Sequence, residues 1–310
     1  MYFQVIIYFL YIITTKEEIY MYILRIFNIG ASMNNISIKY NKYAIPKKNG
    51  SKRFILEPSE ELKEKQNELL KKLYRIFVSP YAHGGVPNRS IVTNAVYHVG
   101  KKYIMQIDLK DFFPSITRDK FFKKISINDL GIDLYNEVYE YCFYYDEYYK
   151  DYILPQGAIT SPVLTNIYMR NLDWWIAKYM RKRQITYTRY FDDLTFSTNR
   201  ENGNKYMYIL YEKFLIPKLT KYELFVNYDK FRIKSNSRKQ EVCGVIVNKK
   251  LNVDKKYKMN LRAEIYQQKQ KGLPLTKETL GKISFVNMIR NFDKSDLYSK
   301  RYFDAEYIIQ

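Results

Sequence analysis

Apolar and polar positions change their period several times along the chain, and the changes mark out its elements. Residues 36–45 alternate like a half-buried strand, and Phe54 to Leu56 resumes an extended run after the basic turn Ile45-Pro46-Lys47-Lys48-Asn49-Gly50. From Glu60 to Phe77 the period is helical, with Leu62, Leu69, Leu70 and Leu73 on or near one face. Ser79 to Arg89 is rich in Gly and Pro and reads as loop. Tyr103 to Leu109 is mostly apolar with an acid near its end, the pattern of a buried strand that delivers a carboxylate at its tip. Helical stretches are expected near 117–127 and 133–145. Ser161 and Pro162 suit the N-cap and first turn of a further helix, to which Val163, Leu164, Ile167, Trp174, Trp175 and Tyr179 give a large apolar surface. Ile185 to Thr198 reads as two strands around a tight turn at Phe191-Asp192-Asp193. A helix over Asn204–Leu219 broken near Pro217, short strands at 231–235 and 242–247, and a helical, basic stretch over 255–310 complete the pattern.

The first residues fit none of the usual targeting signals. The apolar run from Tyr2 to Ile13 has no basic segment before it and no small-residue cleavage site after it. It is also shorter than the roughly 20 residues of a membrane span. Residues 16–29 read as a short helix, so residues 1–35 are expected to form an N-terminal helical extension, buried or facing a partner, with no membrane association. Met21 and Met33 offer later starts to the chain.

Charge changes the picture more than length does. The chain of 310 residues carries a formal net charge of +20 and 17% aromatic residues. Such an excess of Lys and Arg repels itself in the folded state and calls for a polyanionic partner, and aromatics among cations suit base stacking. From residue 231 to 310 there are 18 Lys plus Arg against 8 Asp plus Glu, so this end is expected to cradle nucleic acid. Cys142 and Cys243 are too few for a disulfide framework. With His83 and His98 they lack the paired short spacing of a zinc site. An intracellular, reduced, cytoplasmic location is expected.

The candidate chemistry lies in acids. Phosphoryl transfer from a nucleoside triphosphate to a hydroxyl needs hard cations held by oxygen ligands. An acid at a strand end facing an acidic pair at a hairpin turn meets that need, and Asp108 and Asp192-Asp193 are such a set. A turn made of two like charges repels itself unless a cation sits there.

The order of motifs then resembles the reverse transcriptases. Ile107-Asp108-Leu109-Lys110-Asp111-Phe112-Phe113 is similar to the first palm motif, Leu154-Pro155-Gln156-Gly157-Ala158 to the nucleotide-pocket motif, and Tyr190-Phe191-Asp192-Asp193 to the Tyr-x-Asp-Asp hairpin. The resemblance covers about residues 36–250. It implies an α+β right-hand fold, with fingers and palm over 36–235 and the palm end with a short helical thumb over 236–310. It implies two magnesium ions on Asp108, Asp192 and Asp193, helped by the carbonyl of Leu109. It places Asp111, Gln156 and Gly157 around the incoming deoxynucleoside triphosphate, Phe113 as a steric gate against a ribose 2′-hydroxyl, and Lys48 and Arg53 on the triphosphate. Lys230, in Asn227-Tyr228-Asp229-Lys230, matches a late palm lysine that protonates pyrophosphate.

Two further segments resemble the retron enzymes among that family. Asn94-Ala95-Val96-Tyr97-His98 is similar to their Asn-Ala-x-x-His motif, and Gln240-Glu241-Val242-Cys243-Gly244 to their Val-Thr-Gly region, with Cys243 where the pattern has Thr. The length also agrees, leaving no room for the maturase and endonuclease parts of a group II intron protein. The resemblance implies RNA binding near Asn94, His98, Val242, Cys243 and Gly244. It further implies a structured non-coding RNA as template and primer, priming from a guanosine 2′-hydroxyl to give branched msDNA, and a role in antiphage defence with a separate effector protein.

Overall fold

The structure, a computed structural model, describes residues 39–46, 50 and 52–292. The expected helix at 16–29, the remainder of 1–38, Lys48 and residues 293–310 lie outside the described residues.

The chain begins with an antiparallel hairpin, β1 (Tyr40–Pro46) and β2 (Lys52–Pro58), in which Ile45 lies opposite Arg53. Helix α1 (Glu60–Leu73) follows and buries Leu62, Leu69 and Leu73. It stops short of the expected Phe77. A loop runs to the short helix α2 (Ile91–Ala95), which Ser90 and Thr93 close with a reciprocal capping box. β3 (Tyr103–Asp108) is central. Four short helices come next, over Phe112–Ser115, Arg118–Lys124, Ile127–Leu130 and Ile132–Tyr141. The helix expected to reach 145 ends at Tyr141, and a small hairpin, β4 (Tyr144–Asp146) with β5 (Asp151–Ile153), takes its place.

The 21-residue helix α3 (Ser161–Arg181) crosses the back of the sheet, its apolar side buried. Thr160 rather than Ser161 holds the cap position, and the Ser161 hydroxyl donates instead to the Pro155 carbonyl at 2.8 Å. β6 (Thr186–Tyr190) and β7 (Asp193–Thr198) form the expected hairpin. The helical stretch after it runs from Gly203 to Thr220 without a break. It absorbs Pro217, which lacks an N–H, by widening to a π turn over Tyr211–Leu215. β8 (Arg232–Ser235) completes an antiparallel sheet of order β6-β7-β3-β8. A two-residue turn joins β9 (Glu241–Val242) to β10 (Val245–Ile246). Helices α4 (Lys255–Gln270) and α5 (Lys277–Arg290) end the described chain.

Two apolar bodies hold this together. The central sheet packs against α3 through Ile107, Leu194, Phe196, Ile167, Leu172 and Ile176, each nearly inaccessible. A second cluster joins α2 to the last two helices through Val92, Ala95, Val242, Val245, Leu261 and Ile289. No helix among the described residues is long and apolar enough to cross a membrane.

Candidate active site

β3 is buried along most of its length and ends in Asp108. Antiparallel register sets Asp108 opposite Asp193, and in the hairpin Tyr190 lies opposite Asp193. Phe191 and Asp192 therefore form a two-residue turn at the same end of the sheet. Phe191 takes a left-handed backbone, φ +53°. The Leu109 amide donates to the Asp192 carbonyl at 3.0 Å, which ties the strand end to the turn. All three expected acids are thus brought together, and the Leu109 backbone lies beside them.

Their electrostatics are those of a site short of positive charge. Burial, and Asp108 close by, push the Asp192 carboxyl above the usual carboxylate range. Burial, then Asp192 and Asp108, push Asp193 up to about 6, against the pull of Lys230 and Arg232. The Lys230 ammonium donates to both Asp108 oxygens, at 2.7 and 2.9 Å, and Asn227 donates more weakly at 3.5 Å. As the side chains stand, no three His, Cys, Asp or Glu groups among the described residues converge on a metal position. The donor set nonetheless fits divalent cations. Three carboxylates face a single ion-paired ammonium, their oxygens are hard ligands, and their mutual repulsion is what such ions relieve.

The turn rests on a buried polar strut that the sequence reading missed. Arg189, on β6, is fully buried with Asp173 of α3, and their ion pair closes at 2.7 Å. Arg189 Nε donates to the second Asp173 oxygen at 2.9 Å, which makes the contact a two-pronged fork. The Tyr187 hydroxyl donates to Asp173 at 2.7 Å, and Arg189 Nη2 to Asn166 at 3.1 Å. The remaining prong, Nη1, donates to the Phe191 carbonyl at 3.0 Å, inside the turn itself. Asn166 in turn holds the Gly84 carbonyl at 2.8 Å. A Cβ at Gly84 would stand 2.9 Å from the Phe191 amide, and one at Gly85, where φ is +69°, 2.7 Å from Pro162 and 2.9 Å from the Phe191 ring. The Gly-Gly pair read only as loop therefore lets the backbone press against the turn.

The nucleotide-pocket residues are placed as follows. Phe113 is half-buried, its ring 6.1 Å from that of Phe191. Asp111 is exposed in a left-handed conformation, φ +46°. The Leu56 amide donates to the Gln156 carbonyl at 2.8 Å, and a Cβ on Gly157 would stand 2.8 Å from the Leu56 carbonyl. Glycine at 157 thus lets the pocket motif dock on β2, the strand that carries Arg53. Arg53 is exposed, and its charge lowers the Asp192 pKa, so the hairpin points a cation toward the acids.

The segments expected to bind RNA are placed as follows. Asn94, His98 and Val242 are fully buried, so their side chains belong to the core. His98 spends both ring nitrogens on buried hydroxyls, Ser197 and Thr188, each at 2.7 Å, and burial holds it neutral with a pKa lowered to about 3. Asn94 donates to the Cys243 sulfur at 3.3 Å. Cys243 and Gly244 both have positive φ, +48° and +83°, as a tight hairpin turn of this kind requires. Burial, and then Asp193, push the Cys243 thiol up to about 12, which sets this turn beside the carboxylates.

Comparison with known proteins gives the family. Residues 45–247 match the family model described as reverse transcriptase (RNA-dependent DNA polymerase). The chain is 34% identical over 245 residues to the retron Mx65 reverse transcriptase of Myxococcus xanthus, covering 74% of this chain and 56% of that protein. It is 33% identical over 232 residues to the retron Ec86 reverse transcriptase of Escherichia coli, covering 74% and 69%. The match thus spans between about half and about two thirds of these relatives' lengths. A solved telomerase from Candida albicans, in complex with an RNA fragment, is similar at 14% identity with a TM-score of 0.49, over 91% of this chain and 60% of that one.

Proposed function

The chain belongs to the retron-type reverse transcriptases, with the α+β right-hand fold of that family, and from that premise we propose that it synthesises DNA on an RNA template at Asp108, Asp192 and Asp193. The observation that carries the reading is the register of Asp108 against Asp193, with Asp192 in the adjoining turn. Asp108, Asp192, Asp193 and the Leu109 carbonyl would hold two magnesium ions. Bound there, the ions lower the pKa of the attacking hydroxyl and neutralise the leaving pyrophosphate.

The chain's own groups do the rest. Arg53 and Lys48 grip the triphosphate, and Asp111, Gln156 and Gly157 line the nucleotide. Phe113 is the steric gate that disfavours a ribose 2′-hydroxyl. Lys230, which donates to Asp108, would offer a proton to the leaving pyrophosphate. The partner is a structured RNA that supplies both template and a guanosine 2′-hydroxyl primer, and the product is branched msDNA serving antiphage defence beside a separate effector.

Asp192→Ala with Asp193→Ala is expected to abolish DNA synthesis in a primer-extension assay, a loss of at least about 10³-fold, while RNA binding holds and the unfolding midpoint does not fall. Unchanged synthesis refutes the site. Phe113→Ala is expected to admit ribonucleotides, and unchanged sugar selection removes the gate. Sequencing of RNA-linked cDNA tests the priming mode, since linear cDNA overturns the branched product.

A further inference from the structure

The helical flank behind the sheet carries an array that nucleotide addition does not use. Trp175 and Tyr179 lie one turn apart on α3, and their rings stack with centroids 5.2 Å apart and 10° between planes. Phe214 packs on Tyr179 at 4.9 Å. Cations sit on these rings in sequence. The Arg183 guanidinium lies 3.5 Å from the centre of the Tyr179 ring, and the Lys218 ammonium 4.4 Å from that of Trp175. Lys218 also reaches Tyr222 at 5.8 Å, and Lys124 stands over the same ring at 3.8 Å. Arg183, the stacked Tyr179 and Trp175, Lys218, Tyr222 and Lys124 thus follow one another in a row. Tyr222 is itself anchored, its carbonyl accepting from the Tyr168 hydroxyl at 3.2 Å.

Helix packing explains the rings but not the charge laid over them. The segments 120–124, 178–183 and 213–223 hold ten Lys and Arg against one carboxylate, Glu223. Lys120 already engages that carboxylate at 2.9 Å. Among the described residues, no carboxylate pairs with Arg183, Lys218 or Lys124. Partial burial lowers the Lys124 pKa, and Lys218 lowers it further against the pull of Glu223. Among the described residues, like charges are thus held close with Glu223 as the one carboxylate of these segments beside them.

We infer that this row is a binding track for the backbone of single-stranded RNA, its cations contacting successive phosphates outside the active site. Charge complementarity selects a polyanion, and one file of cations suits one strand. The rings order the long side chains in advance, so rotamer freedom worth up to about 2 kcal/mol each is lost on folding rather than on binding. Arg183 uses one N–H on the Tyr179 carbonyl, at 2.9 Å, and keeps its other donors for phosphate. The choice of RNA rests on the reverse-transcriptase reading, in which the template-primer RNA is the strand with length to spare beyond the catalytic centre.

The test is Lys124→Gln with Lys218→Gln in the full chain, with binding of a fluorescent single-stranded RNA oligonucleotide followed by anisotropy across a salt series. The slope of log affinity against log salt is expected to fall by about 1.4, two phosphate contacts at roughly 0.7 each. Arg183→Gln alone is expected to remove about 0.7. Lys71→Gln, an exposed change on α1, is expected to leave the slope alone. Extension of a short preannealed template-primer and the thermal midpoint should not change. An unaltered slope, or an equal drop for Lys71→Gln, overturns the track. So does loss of affinity for single-stranded DNA of the same sequence with RNA affinity intact, which assigns the row to the product strand. A wild-type protein that fails to extend any primer yet shows the slope change refutes the polymerase reading and leaves the track standing.

Discussion

Two sets of aspartates meet at one hairpin, and the protein treats them in opposite ways. Asp173, at the foot, is fully buried and meets Arg189 through two prongs and Tyr187 through a third contact. Asp192 and Asp193, at the tip, face each other and Asp108, with Lys230 committed to Asp108. Both places are costly, because a buried charge must be paired and like charges must be screened. At the foot the chain supplies the partner itself, so the charge is a strut. At the tip Lys230, Arg232 and Arg53 offset the charge only in part, and the Asp192 and Asp193 carboxyls stay above their usual range, as the proposed binding of cations there requires. The strut ends on the Phe191 carbonyl, so the satisfied foot holds the unsatisfied tip in place.

The sharpest way to break this pairing is Arg189→Met. It strands Asp173 as an unpaired buried carboxylate and is expected to cost about 3–5 kcal/mol in urea unfolding. Arg189→Met combined with Asp173→Leu removes both charges and is expected to recover most of that stability, since apolar replacements of a buried pair are often neutral. Synthesis should stay low in the double variant, because the Phe191 carbonyl still lacks its donor. Recovery of kcat together with stability would show that the strut serves folding alone. Gly85→Ala attacks the same turn from outside. The new Cβ would crowd Pro162 and Phe191 at a left-handed position, for an expected loss of about 2–3 kcal/mol. A fully stable, fully active Gly85→Ala protein would mean that the loop yields without moving the turn.

Foot and tip also differ in how legible they were. The tip was readable because its signals are local: an apolar strand ending in an acid, and an acidic pair between alternating segments. The foot was not, because Arg189 meets Asp173 and Asn166 at separations of 16 and 23 residues, and no periodicity encodes such a contact. Lys230 could be matched to a motif, but its grip on Asp108 spans 122 residues. The burial of the Asn94–His98 segment was not legible either, because the partners of His98 are Thr188 and Ser197, about 90 residues or more away on the sheet. The β4–β5 hairpin was missed because Tyr144-Tyr145-Asp146-Glu147-Tyr148-Tyr149 shows no period-2 alternation. The π turn at Tyr211–Leu215 was missed because Pro217 signalled a break that the helix absorbs by widening.

Acid gives the finest test, since the buried histidine behind the hairpin and the acid at its tip should respond with opposite signs. His98 lies under the hairpin and is held neutral, with its pKa lowered from 6.5 to about 3 by burial first and Lys101 second. The unfolded chain binds a proton at this residue below pH 6.5 and the folded chain does not, so its contribution to stability is full above pH 6.5 and falls as the pH drops toward 3. The slope for one such group is at most about 1.4 kcal/mol per pH unit. Asp193 works the other way in metal-free protein. Its folded pKa of about 6 lies above the ordinary 3.8, so the folded form takes up the proton first and gains stability as the pH falls from 7 through 6. Urea midpoints in chelator at pH 7 and pH 5 separate the two. His98→Gln is expected to flatten the loss between these pH values, by about 2 kcal/mol at most. Asp193→Asn is expected to steepen it, because the compensating uptake at the tip is gone. Should both variants keep the wild-type difference between pH 7 and pH 5, the neutral histidine behind the hairpin and the charge-deficient tip do not set its acid response.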